Sequence, residues 1–204
     1  MSIKTGLFRW VGVLLPLLVC SACLGGSPPV RYFLLTPMAK AATPATSSGV
    51  DKPLLVVEPV EIPPYLNRPQ IVTRSSENHL DLAQSELWGD NLRENISRVL
   101  LENLSALLGT DRIASPTSLP QERPALRIVT QVSQFERGAD GRIVLRVRWR
   151  LVSNQTGKTL AVQQGQFVSE PVEADNYEGI ATSMSGLLLQ WSQEMAGEIA
   201  GYVR

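Results

Sequence analysis

Apolar and polar residues change their spacing several times along this chain, and each change predicts an element. "PLLVVEPVEIPPYL", residues 53–66, opens as a β-rich apolar run and ends at a double proline. Pro59, Pro63 and Pro64 lack a backbone donor, which predicts a strand that is bent or lies at a sheet edge. "QIVTRSSENHLDLAQ", 70–84, predicts two short strands around a polar turn at Ser75–Asn78, hence a hairpin. From Leu92 the period becomes helical, with Leu92, Ile96, Val99, Leu100, Leu104, Leu107 and Leu108 on one face. Asp90 is placed to cap the start of this helix, and Gly109 to end it in a left-handed C-cap. Its polar face carries Arg93, Glu94, Arg98 and Glu102, with Glu94 and Arg98 at i,i+4 spacing for an ion pair.

Alternation returns in "ALRIVTQVSQFE" (125–136), "RIVLRVRWRLVS" (142–153) and "KTLAVQQGQFVSE" (158–170). The links "RGADG" and "NQTG" are short and contain glycine, which predicts antiparallel hairpins and a meander. In the middle strand Ile143, Leu145, Val147, Trp149 and Leu151 share one face. Arg146, Arg148 and Arg150 share the other, with Val144 and Val152. Asp175 followed by Glu178 has the form of a capping box for a last helix. That helix carries a stripe of Ile180, Met184, Leu187, Leu188, Trp191, Met195, Ile199 and Tyr202. The expected fold is α+β, a largely antiparallel sheet with two amphipathic helices packed on one face.

The first thirty residues follow another logic. Lys4 and Arg9 precede the apolar run "WVGVLLPLLV" (10–19), and small residues follow at Ser21 and Ala22, the plan of a signal peptide. The run is too short for the roughly 20 residues that span a bilayer, and Pro16 interrupts it. Cys20 and Cys23 have C-x-x-C spacing, but a redox pair needs a βαβ setting. A zinc site needs about four ligands, and the chain's other candidate is one histidine, His79. "VCSAC" instead resembles a bacterial lipobox, cut after Ala22 so that Cys23 is acylated; Cys20 stands where Leu is more usual. A diacylglyceryl group with an N-linked acyl chain such as palmitate anchors stably. The expected organisation is a lipoprotein signal peptide at 1–22 and a single domain at 54–204. Between them, 23–53 form a lipidated N-terminus and tether with a short strand near 31–35.

Charge and chemistry narrow the function by subtraction. Without residues 1–22 the chain keeps 17 basic and 19 acidic residues, a net charge of −2, which argues against nucleic acid. No metal site or cofactor motif is expected: there is no Gly-rich phosphate loop and no EF-hand loop. His79 reads as a solvated turn residue, and Glu58 and Glu61 fall on opposite faces of a strand, a poor arrangement for paired-carboxylate catalysis. The arginines at 146, 148 and 150 read either as a solvated face or as a contact surface, arginine being enriched at interfaces. The Met184, Trp191 and Met195 stripe reads as core rather than as a lipid pocket.

"VEPVEIPPYLNRPQIVTRSSENHLDLAQSELWGDNLRENISRVLLENLSALLG", together with "RYFLL" at 31–35, resembles a known family. These are the auxiliary lipoproteins of ABC-type transport systems, the group typified by the paraquat-inducible protein C lipoprotein. The resemblance implies a non-enzymatic component of an MCE-type intermembrane lipid transport system, on the periplasmic face of the outer membrane. Its partner would be an MCE-domain periplasmic protein whose conduit it docks, as a homo-oligomer and in support of membrane integrity. Leu24 beside the lipidated cysteine is not the Asp associated with inner-membrane retention. Within "PPYLNRPQ", Tyr65, Leu66 and Arg68 are candidate partner-binding residues beside Arg146, Arg148 and Arg150, since aromatics and arginine dominate hot spots. Two other readings stand beside this one: an accessory lipoprotein of another envelope assembly or secretion complex, and a periplasmic hydrolase.

Overall fold

β6, at Leu126–Arg137, is the strand around which the sheet is built. On one side it pairs antiparallel along its length with β7 (Ile143–Ser153), which pairs with β8 (Thr159–Val168), giving the expected meander. On its other side the chain arrives in pieces. β2 (Leu55–Val57) pairs parallel with the start of β6, Glu61 bridges Gln131 at its middle, and β3 (Gln70–Ser76) meets Arg137 at its end. β5 (Ile113–Ala114) adds to β2, β4 (His79–Trp88) to β3, and β1 (Arg31–Phe33) to β4. The computed structural model describes residues 29–38, 53–118 and 122–203. The expected signal peptide, Cys23 and most of the expected tether lie outside these residues.

The sheet is therefore mixed, and the expectation of a largely antiparallel one is corrected. β3–β4, β6–β7 and β7–β8 are antiparallel hairpins, whereas β1–β4, β2–β5, β2–β6 and β3–β6 are parallel. Short turns reveal only antiparallel neighbours; parallel pairing needs a crossover, and strands of two or three residues carry too little pattern to announce it. The proline-rich segment is bent but not at an edge, since β2 has a partner on each side. Beyond Val57 it keeps following β6 through Glu58 N–H to Ile128 O, Glu61 N–H to Thr130 O and Val132 N–H to Glu61 O. Pro59, Pro63 and Pro64 supply no donors, so regular strand ends at Val57.

Two helices among the described residues, α1 (Leu92–Leu108) and α2 (Tyr177–Ile199), pack on each other and share one core with the sheet. Asn91, not Asp90, caps α1: its side chain accepts from the Arg93 and Glu94 amides, while Asp90 accepts from the Asn91 amide. Gly109 closes α1 with φ +57°, as expected. Arg98 pairs with Glu102 at 2.8 Å and Arg93 with Glu94, so the expected Glu94–Arg98 pair is replaced. Asn176, not Asp175, caps α2 by accepting the Gly179 amide. Tyr202 lies past the helix, half exposed, its hydroxyl donating to Leu160 O.

Candidate docking surface on the open sheet face

Strand alternation produces the surface. Ile143, Leu145, Val147, Trp149 and Leu151 of β7 are buried under the helices, which turns Arg146, Arg148 and Arg150 outward. Their neighbours across the ladder are set by register: Gln134 and Gln166 flank Arg146, Gln131 and Gln164 flank Arg148, and Val129 and Val162 flank Arg150. The Arg146 Nε donates to Gln166 Oε1 at 2.9 Å. Arg148 and Arg150 make no side-chain hydrogen bond or ion pair among the described residues. Two adjoining grooves of about 500 and 390 Å³ run over this face, and Gln131 and Arg148 line both. Glu61, exposed, borders the second groove beside Arg148 and Arg150. Val152, expected on the same face, is buried.

The prolyl segment forms a second, separate arrangement. Leu66 is 1% exposed and belongs to the core, so it presents no side chain to a partner. Tyr65 is half-buried and donates its hydroxyl to Glu136 Oε2 at 3.0 Å. Glu136 Oε1 accepts from Arg74 Nε at 2.7 Å, and the Arg74 guanidinium lies 5.7 Å from the centre of the Tyr65 ring. Burial, and then the Glu136 carboxylate, push the Tyr65 hydroxyl up to about 12. Its bond to Glu136 raises Arg74 as well. Arg68 is half-buried with its Nε enclosed and unpartnered among the described residues. No hydrogen bond or ion pair joins Tyr65 or Arg68 to Arg146, Arg148 or Arg150 among the described residues.

His79 is an exposed hairpin residue whose Nε2 lies 3.2 Å from Asp81. Glu58 is half-buried and Glu61 exposed. Among the described residues no cluster of three or more His, Cys, Asp or Glu side chains is arranged to hold a metal ion, and no helix is long and apolar enough to cross a membrane.

Residues 33–196 match the family described as the ABC-type transport auxiliary lipoprotein component. The chain belongs to this family. It is 27% identical over 194 residues to the intermembrane transport lipoprotein PqiC of Escherichia coli (strain K12), covering 92% of this chain and 94% of that protein. The protein of the same name from Shigella flexneri matches equally. In fold it is similar to the crystal structure of an uncharacterized protein, with a TM-score of 0.67 and 22% identity over 84% of this chain and 99% of that one. It is also similar to protein XCC0632 of Xanthomonas campestris, with a TM-score of 0.65 and 14% identity over 83% and 95% of the two chains. The family is a transport auxiliary lipoprotein family, and its match takes in β2 to β8, α1 and most of α2, hence the whole open face.

Sequence reasoning missed Gln131, Gln164 and Gln166, which line the arginine grooves, and Glu136, which holds Tyr65 and Arg74. The glutamines carry a legible signal, the alternation of "VTQVS" and "VQQGQF". Glu136 carries none. The irregularity between Val132 and Gln134 shifts the alternation, and so puts a carboxylate where the strand pattern alone would not.

Proposed function

We propose that this chain is a non-enzymatic, lipid-anchored component of an MCE-type intermembrane lipid transport system. Cys23 carries the lipid and holds the fold at the periplasmic face of the outer membrane. The sheet–helix unit, assembled as a homo-oligomer, docks the distal end of a periplasmic conduit built from MCE-domain protein, and so supports membrane integrity. The observation that carries this reading is the likeness to an intermembrane transport lipoprotein along nearly the whole of both chains. The face with Arg146, Arg148 and Arg150 is the docking surface, with Tyr65 and Arg68 as a second contact.

Crosslinked pull-downs from separated inner and outer membranes of a Gram-negative host test the proposal. Recovery of an MCE-domain protein with the outer-membrane fraction, lost in Cys23→Ala, is the expected result. Fractionation with the inner membrane, or a partner without an MCE domain, overturns it.

A further inference from the structure

Four exposed arginines, Arg127 on β6 and Arg146, Arg148 and Arg150 on β7, stand on strands whose other faces build the core. The chain as a whole has as many acidic as basic residues. This face is charge-segregated: the acid that lines its grooves is Glu61, at the border. A cationic face of this kind is complementary to an anionic partner.

The spacing narrows the partner. Residues two apart on one face of a strand lie about 6.8 Å from each other, so the three arginines of β7 form a regular row. Side chains on one face of any extended peptide repeat at that same distance. Arg forms forked bonds to carboxylates, and the fork favours a carboxylate seated above each guanidinium. Gln131 and Gln164 beside the row offer both donors and acceptors, which suits a peptide backbone, and Val129 and Val162 add apolar surface at the Arg150 end. Grooves bordered by amides and valines fit a peptide better than a plane of headgroups.

We infer that the open face of β6, β7 and β8 takes an extended acidic segment of a protein partner, its alternate carboxylates seated on Arg146, Arg148 and Arg150. The inference rests on the reading of this face as the docking surface and names what docks there. Its probe is a synthetic nine-residue peptide with glutamates at alternate positions between valines and threonines. The control is an isomer of the same composition with the glutamates contiguous. Binding to the full chain in detergent is followed by fluorescence anisotropy at low ionic strength, where surface charge is least screened.

The alternating peptide should bind at least several-fold more tightly than its isomer. Arg146→Gln with Arg148→Gln should weaken it tenfold or more with no change in melting temperature, and Arg148→Lys should recover only part. Equal binding of the two peptides, or binding indifferent to the arginines, overturns the inference. So does arginine-dependent capture by phosphatidylglycerol vesicles without a preference between peptides, which would make the face a lipid contact. In the membrane pull-down, recovery of an MCE-domain protein by wild type but equally by Arg146→Gln/Arg148→Gln defeats this inference alone. Loss of that partner from wild type defeats the docking role on which it rests.

Discussion

Glu136 has no exposed side-chain surface, and its charge is held by Arg74 and by hydrogen bonds from the Tyr65 hydroxyl and the Phe135 amide. A buried carboxylate stripped of its cation is strongly unfavourable, because the low-polarity interior replaces none of the lost water. Arg74→Met should therefore cost about 3 kcal/mol, the low end of the range for breaking a buried pair, since two hydrogen bonds to Glu136 survive. Glu136→Leu in the same background should recover most of that loss, as measured by urea unfolding of the single and double variants. Tyr65 gives the pH signature. Its pKa is raised in the fold from 10.0 to about 12, so between those values the unfolded chain loses the proton and the folded one keeps it. The contribution is complete below pH 10 and fades as pH rises towards 12. Tyr65→Phe should flatten that part of the urea midpoint against pH curve relative to wild type.

At the scale of elements, side-chain amides on α1 fasten the segment that follows β1. Asn95, 1% exposed, accepts from the Leu35 amide at 2.7 Å and donates to the Leu35 carbonyl at 3.0 Å. Two turns on, Asn103 accepts from Met38 N–H and donates to Ser192, while Ser185 of α2 accepts from Thr36 N–H. The stretch Leu35–Met38 thus lies along both helices without being a helix or a strand. Asn95→Ala leaves the amide of the fully buried Leu35 without an acceptor, while Arg98 Nη2 still donates to the Leu35 carbonyl at 3.2 Å, so the expected loss is about 1–3 kcal/mol for the one orphaned group. Hydrogen exchange should show β1 and Leu35 losing protection first, with α1 little changed. Gly109→Ala tests the end of the same helix. A Cβ there meets nothing within 4 Å, so the loss of about 1 kcal/mol expected in urea unfolding comes from the φ of +57° alone.

On the scale of the whole molecule, the sheet is a partition between a core and a charged face, and β7 reads it at adjacent residues. Trp149 is 2% exposed within the core, while Arg148 faces solvent. Trp149→Ala should lose about 3–5 kcal/mol through lost burial and the cavity left behind. Arg148→Gln should stay within about 0.5 kcal/mol of wild type while weakening partner capture. Parallel urea titrations of the two variants, set beside the pull-down, separate what holds the fold together from what the fold presents.

The periods of "RIVLRVRWRLVS" and of the two amphipathic stripes depend only on local geometry, so the meander, both helices and the outward arginines were legible in the sequence. The arginine row was legible for the same reason: a residue between two core residues of a strand has one direction left. The resemblance to the transport auxiliary lipoproteins was carried by whole blocks such as "RPQIVTR" and "DNLRENI", which need no fold to be read. What only the tertiary structure decided are relations between residues far apart in the chain. The parallel pairing of β2 with β6, the burial of Leu66, the Asn95 clasp on Leu35 and the meeting of Tyr65, Arg74 and Glu136 are of this kind. The strand pairing and the hydrogen bonds join groups 60 to 71 positions apart, and Leu66 joins a core drawn from strands and helices along the whole chain. Periodicity reports which way a side chain faces; only packing determines what it meets there.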